Sequence, residues 1–384
     1  LIYLLGIFPS IVFALPIGGS VQSGSATIDQ VSENKINIYQ SSDKSIIDWD
    51  SFSISNGEHV DFQLPSSQSV TLNRVTGEDS SSIFGKLTSN GDLMLINRNG
   101  ILFGNGAEID VHGLVATTSD ISNESFLGGQ YNFNISPEFS YTVTNRGTIT
   151  AEQGGLVAFV APGVQNAGII NARLGKVSLA AGNTFTLDLY GDQLISLGVD
   201  SQVAQQVFGV DGGKLDSLVS NSGSIYADGG TVAMDVQTVQ SLIDNVVNMS
   251  GHIQARSITE KNGAVYLTGG DDGLVSVSGS IDATGLSIGE TGGVVHVLGN
   301  RVGLYDYARI DVSGDAGGGL VLVGGDYQGL GLVPTAVKNY VGPNVSIFAD
   351  AITSGHGGRT IFWADRRTEF FGTVRTRGGR LFGD

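Results

Sequence analysis

The sequence predicts an all-β fold: a parallel β-helix, or solenoid, with an N-terminal cap and extra-helical hairpins. Three observations predict it: an internal repeat of β-type units, an excess of glycine over proline, and almost no helical periodicity. Of 384 residues, 57 are Gly and 7 are Pro. That is about twice the usual glycine share, and the lack of a G-X-Y period excludes collagen. Apolar residues make up 41% and charged residues 15%, which excludes a charge-rich disordered chain.

The repeat reads Asn-x-Gly-x-Ile-x-Ala, then Gly, then alternating apolar residues. It stands clearest at 145–151, 166–172 and 221–227, and more loosely at 251–255, 279–283, 308–312, 344–349 and 372–376. Ile and Ala alternate with polar residues, so one face of each short strand is buried. Glycine at the corner permits the positive φ that turns the chain. A unit this short cannot bury its own apolar face, whereas stacked units can. The spacing predicts about ten coils from residue 145 onward, or about 50 Å of rod at the interstrand distance. Asn145, Asn166 and Asn221 are candidates for a ladder of side-chain amides along the stack.

In chain order, residues 1–14 (LIYLLGIFPSIVFA) carry no charge and are too short to span a bilayer. Val12-Phe13-Ala14 fits the small-x-small pattern of a cleavage site, so the segment is expected to be a partial signal peptide. Residues 15–140 lack the repeat unit and are the expected cap, because a solenoid end exposes an unpaired edge and its core. Residues 141–384 form the repeat region. The stretch 189–219 interrupts it and is expected to leave the rod as a loop or hairpin, with short helical or loop excursions at 202–210 and 236–245. The missing initial Met, the missing charged n-region and an end inside a unit at 377–384 predict further sequence on both sides.

Twenty basic against 37 acidic residues give a net charge of −17, a poor match for nucleic acid. With no Cys, disulfides, thiolate metal sites and a Cys nucleophile are excluded. Such a chain suits passage across membranes unfolded. His59, His112, His252, His296 and His356 are scattered without zinc-site spacing. The run 317–319 lacks a P-loop ending. Asp271-Asp272 and Gly325-Asp326 lack the calcium-binding glycine repeat and read as solvated turns. No metal, cofactor or catalytic residue is expected. The enzymatic rival is a polysaccharide lyase or hydrolase, which would gather carboxylates and a base on one face, from Asp188 and Asp192 or from Asp306, Arg309 and Asp311. Asn-x-Ser sequons stand at Asn123, Asn134, Asn248 and Asn344.

Residues 70–77 (VTLNRVTG), 83–87 (IFGKL), 90–91 (NG), 95–104 (LINRNGILFG), 113–118 (GLVATT) and 120–122 (DIS) carry a resemblance. In order and spacing they resemble the secretion domain of two-partner-secretion exoproteins, the filamentous-haemagglutinin-type adhesins of Gram-negative bacteria. The family's Asn-Pro-Asn-Gly-Ile hallmark reads Asn97-Arg98-Asn99-Gly100-Ile101 here, so Arg98 replaces a proline that would stiffen the turn. Asn73-Arg74 stands where some members have a second Asn-Pro-Asn, which is similar to the high-molecular-weight adhesin branch.

The resemblance implies a right-handed β-helix and a secretion motif at Asn73, Arg74, Asn97, Asn99 and Gly100. These residues either contact a transporter or build the cap. It implies export through a dedicated outer-membrane barrel, recognised by its periplasmic receptor repeats. The product would be a monomeric rod, secreted or surface-bound by way of the periplasm. Its ligands would be glycans or proteins of host or bacterial surfaces, and it would bind no nucleic acid. The expected function is that of a haemagglutinin-like adhesin whose N-terminal region is secretion signal and folding nucleus. The alternative is the stalk of a contact-dependent inhibitor or haemolysin.

Overall fold

In the computed structural model the described residues are 15–188, 195–197, 207–210, 212–236, 245–259 and 261–384. The segment 1–14, Asp192 and most of the expected excursions at 189–219 and 236–245 lie outside them. The chain winds into coils, each contributing a strand to three parallel faces. Among the described residues, the first face stacks twelve strands in register, from Lys35–Gln40 through Thr148–Ala151 to Thr373–Arg375. The second face runs from Lys44–Trp49 to Arg359–Phe362, and the third from Ser81–Ile83 to Arg367–Phe370. Two long strands, Lys86–Ile96 and Glu108–Thr117, bend through the corner and serve the first and second faces.

The repeat explains the core. Its Ile points inward on the first face, so Ile149, Ile170, Ile225, Ile253, Ile281, Ile310 and Ile347 form one buried column. A fully buried Ile contributes about 1.5–3 kcal/mol, which no single coil could collect alone.

Three expectations need correction. Among the described residues eight coils, not ten, follow residue 145 on the first face. Insertions explain the difference: Asn166 and Asn221, 55 residues apart, are register neighbours. The corner glycines act mainly through close approach rather than positive φ. A Cβ on Gly168, Gly223, Gly251 or Gly279 would lie 2.0–2.2 Å from the carbonyl oxygen of the glycine one coil below. The same holds at Gly175 over Gly155 and at Gly230 over Gly175, both at 2.1 Å, while a Cβ on Gly155 would meet His112 O at 1.9 Å. Positive φ belongs to the first glycine of each pair, Gly154 and Gly229, and Leu174 adopts it in the coil between. Finally, parallel coils already begin at Lys35, within the segment expected to form the cap. The end is covered by Ser20–Ser23 and Ala26–Ser32, which pair antiparallel with the first strands of the second and first faces.

A second layer covers part of the rod. Residues 119–135, with the helix Asn123–Leu127, join the antiparallel strands Asn132–Phe133, Phe185–Leu187 and Ile195–Leu197. Beneath them a separate apolar cluster includes Leu72, Met94, Val115, Phe126, Phe133, Val160 and Ala180. Second-face strands under this sheath bury side chains on both sides. Leu156–Ala161 (LVAFVA) is therefore a continuous run rather than an alternation, as expected of a sheet covered on both faces.

Candidate functional site

The motif residues meet at one corner, on adjacent coils. Strand Val70–Val75 lies under the second half of Lys86–Ile96, with Asn73 opposite Leu95 and Arg74 opposite Ile96. Residues 97–100 then turn the chain into Ile101–Phe103 on the third face.

Asn97 is fully buried. Its Nδ2 donates to Asp79 O and to Ser81 Oγ, both at 3.0 Å. Its Oδ1 accepts from Asn99 N at 2.9 Å, the local bond that makes Asn a turn former. Gly100 N closes the turn on Asn97 O at 3.0 Å, and Gly100 has φ 97°, a conformation glycine adopts at no steric cost. Asn99 Nδ2 reaches down to Gly77 O at 3.0 Å, tying the turn to the coil that holds Asn73 and Arg74. Arg98 is exposed, and its backbone N–H takes no part in the turn's hydrogen bonds. The turn thus keeps its bonds without the proline.

Asn73 points inward and is buried. Its Oδ1 accepts from Trp49 Nε1 at 3.0 Å, which satisfies the indole donor inside the core. Arg74, on the same strand, points outward. Its Nε donates to both Asp120 oxygens at 2.9 and 3.0 Å, and Nη1 donates to Asp48 at 3.1 Å and Asn123 at 3.0 Å. Nη2 donates to Ile121 O at 2.8 Å. One guanidinium therefore clasps the root of the sheath to the rod. Lys44 holds the far end of the helix by donating to Phe126 O and Leu127 O at 3.1 and 3.2 Å, and burial lowers its pKa.

Asn145, Asn166 and Asn221 lie apart from this corner, inside the third face. Asn145 follows Phe103 in register. Asn145 Nδ2 donates to Asn166 Oδ1 at 2.8 Å, and Asn166 Nδ2 to Asn221 Oδ1 at 2.7 Å. Asn221 Nδ2 meets the Met249 sulfur at 3.8 Å. All three asparagines are fully buried, so each amide must find its partners within the column.

Of the carboxylates weighed for catalysis, Asp192 lies outside the described residues, and with it the Asp188 and Asp192 pair. Arg309 pairs with Asp311 at 2.7 Å, while Asp306 sits in a tight turn with φ 51°. Asp326 caps a short 3-10 turn and meets Arg359 at 3.3 Å. Among the described residues no three His, Cys, Asp or Glu converge as a metal site.

Sequence reading missed Asp48, Asp120 and the sheath itself. The available signal was the loss of alternation in 93–96, 114–118, 156–161 and 176–181. Beside the turn lies a hollow of about 410 Å³ lined by Asn99, Gly100, Leu102, Tyr141, Phe208 and Val210.

Known proteins share this organisation. The family described as "TPS secretion domain" matches residues 14–283. The crystal structure of the HMW1 secretion domain from Haemophilus influenzae superposes with a TM-score of 0.79 at 29% identity. That match covers 95% of this chain and 91% of the other. A heme/hemopexin-binding protein of Haemophilus influenzae is 34% identical over 265 residues, or 67% of this chain. A second protein of that name and species is 33% identical over 266 residues, or 64% of this chain. The chain spans 27% of the length of each of these curated relatives.

Proposed function

The chain belongs to the TPS secretion domain family, that of exoproteins exported by two-partner systems, and on that premise we propose that it is the N-terminal part of a surface adhesin. Residues 1–14 end its signal peptide. Residues 15–140 are the signal read by the periplasmic receptor repeats of an outer-membrane barrel transporter, and residues 141–384 are a monomeric rod that projects from or leaves the Gram-negative cell. The family is one of secretion domains and not of enzymes, so the rod serves binding and presentation.

The observation that carries the role of the motif is the burial of Asn73 and Asn97. Both side chains are buried and hydrogen-bonded inside the folded rod, so a receptor reads them only before folding. Outside the cell the same amides lock the first coils, and each later coil is templated on the one beneath. The motif thus acts twice, as address and as nucleus.

The test is release of the chain by cells with and without the barrel transporter. Transporter-dependent release, lost in Asn97→Ala/Asn99→Ala, is expected. Release without the transporter would overturn the reading.

A second reading is favoured by the 34% identity to a protein named for heme and hemopexin binding. The rod would then present a ligand-capture region rather than an adhesin. Binding of hemopexin by cells displaying the full-length exoprotein would decide for it.

A further inference from the structure

The turn at 97–100 carries a reactive pair that its hydrogen bonds hold in check. Asn-Gly occurs at Asn56, Asn90, Asn99, Asn105 and Asn262. This is the dipeptide most open to attack by its own backbone, because glycine places no Cβ in the path of its nitrogen. That nitrogen displaces ammonia from the asparagine amide, and the ring so formed opens with water. The reaction therefore requires that the nitrogen and the amide be free to meet.

The fold treats these pairs unequally. At Asn99 both groups are engaged. Gly100 N donates to Asn97 O at 3.0 Å, Asn99 N donates to Asn97 Oδ1 at 2.9 Å, and Asn99 Nδ2 donates to Gly77 O at 3.0 Å. Asn90 is held in the same manner. Its side chain bonds Leu64 N and O at 2.7 and 2.9 Å, and Gly91 N donates to Ser89 Oγ at 3.1 Å. Asn105 and Gly106 are both exposed, at a corner closed by Ala107 N on Gly104 O at 3.0 Å. A Cβ on Gly106 would meet nothing within 4 Å, so this pair stands in open solvent. Asn56 and Gly57 repeat that arrangement, closed by Glu58 N on Ser55 O at 3.0 Å.

We propose that Asn99 is a self-modification site of the unfolded chain, shut off when the 97–100 turn closes. Before closure, Gly100 N gives up its proton and bonds to Asn99 Cγ, the Cγ–Nδ2 bond breaks, and Nδ2 leaves as ammonia. Water opens the resulting succinimide at one carbonyl or the other. The product is aspartate, or isoaspartate with the backbone routed through the side chain. Either product replaces the Nδ2 donor with a carboxylate facing Gly77 O, which leaves two acceptors and no proton between them. Isoaspartate also adds a methylene to the turn that Asn97 closes. A chain that stays unfolded is thereby damaged at a residue that ties its first coils together. The inference rests on the fold and its chemistry, and its outcome does not depend on whether release requires a transporter.

The test is ageing of the full 384-residue chain in mildly alkaline buffer, folded and in guanidinium chloride, followed by digestion with a glutamate-specific protease and mass spectrometry. One peptide, residues 79–108, carries Asn90, Asn99 and Asn105 together. In denaturant all three should acquire the mass shift of deamidation. In the folded chain Asn105 should continue to convert. Asn99 should slow by about tenfold or more, because it reacts only in molecules whose turn has opened. A second measurement reads the consequence: Asn99→Asp should refold from denaturant severalfold more slowly, while Asn105→Asp matches the parent chain. Conversion of Asn99 as fast in the folded chain as in denaturant, or refolding of Asn99→Asp as fast and as complete as that of Asn105→Asp, would overturn the proposal.

Discussion

From Leu95 onward the second face keeps an apolar inward column but carries two different outward ones. Its inward residues stay apolar, from Leu95 through Phe159, Leu179 and Met234 to Val297. Its outward residues are Met94, Val115 and Ala158 under the sheath, then Tyr266 and His296 above it. Strand Leu156–Ala161 accordingly reads as a continuous run, and Thr231–Val236 as strict alternation with every second residue buried. The rod alone needs only the inward column. The added outer core spans the motif-bearing coils and their neighbours, from Ile46 to Leu187, and Arg74 fastens it there. The coils under the sheath are stabilised from both sides, and the coils beyond it only from within and from their stacked neighbours.

Removing the outer core should break this difference most directly. Phe133 is fully buried and stacks on Phe185 at 4.3 Å. Phe133→Ala should cost about 3–5 kcal/mol. Hydrogen exchange should locate the loss in residues 35–188 and leave the coils after 264 protected. Equal loss of protection at both ends would mean that the two regions unfold as one unit.

Loosening the clasp comes next. Arg74→Ala strands the Asp48 and Asp120 carboxylates, which are only 25% and 20% exposed. A cost of about 2–3 kcal/mol is expected in denaturant unfolding, below the full penalty of a wholly buried pair. Arg74→Lys should recover little of it, because a single ammonium cannot reproduce the fork.

The boundary between the regions can be sharpened at Asp235. It is the register partner of Ala180, where the apolar outward column ends. Burial raises its pKa to about 6. An acid whose pKa is raised on folding binds its proton more tightly in the native state. Stability is therefore lost as pH rises from about 4 through 6. Asp235→Asn should raise stability by about 1–2 kcal/mol at pH 7.5 and by almost nothing at pH 4, which thermal melts at the two pH values would read.

The smallest effect is expected at the turn. Arg98 is exposed and its N–H is unused there, so Arg98→Pro should stabilise by about 0.4–1 kcal/mol through the unfolded chain. Destabilisation in urea titration would mean that the turn at 98 is incompatible with the proline backbone.

Much of this was legible before folding. The Ile column, the Asn column and the corner glycines recur with their neighbours, so each unit announces its own inward face. The turn at 97–100 was legible because its bonds are local, between Asn97, Asn99 and Gly100. The Arg74–Asp120 clasp joins residues 46 apart and has no local signature. The reason for glycine at Gly223 was hidden as well, since the obstructing atom belongs to Gly168.

By itself the sequence determined that the chain would stack in parallel coils and which side of each strand would be inside. Periodicity and glycine spacing are properties of neighbours along the chain. Only the tertiary structure decided that Asn166 lies against Asn221, that a sheath covers the motif-bearing coils, and that Arg301, Lys338 and Arg367 share one column. Insertions of unequal length separate these residues in sequence, and only the register of stacked coils brings them together.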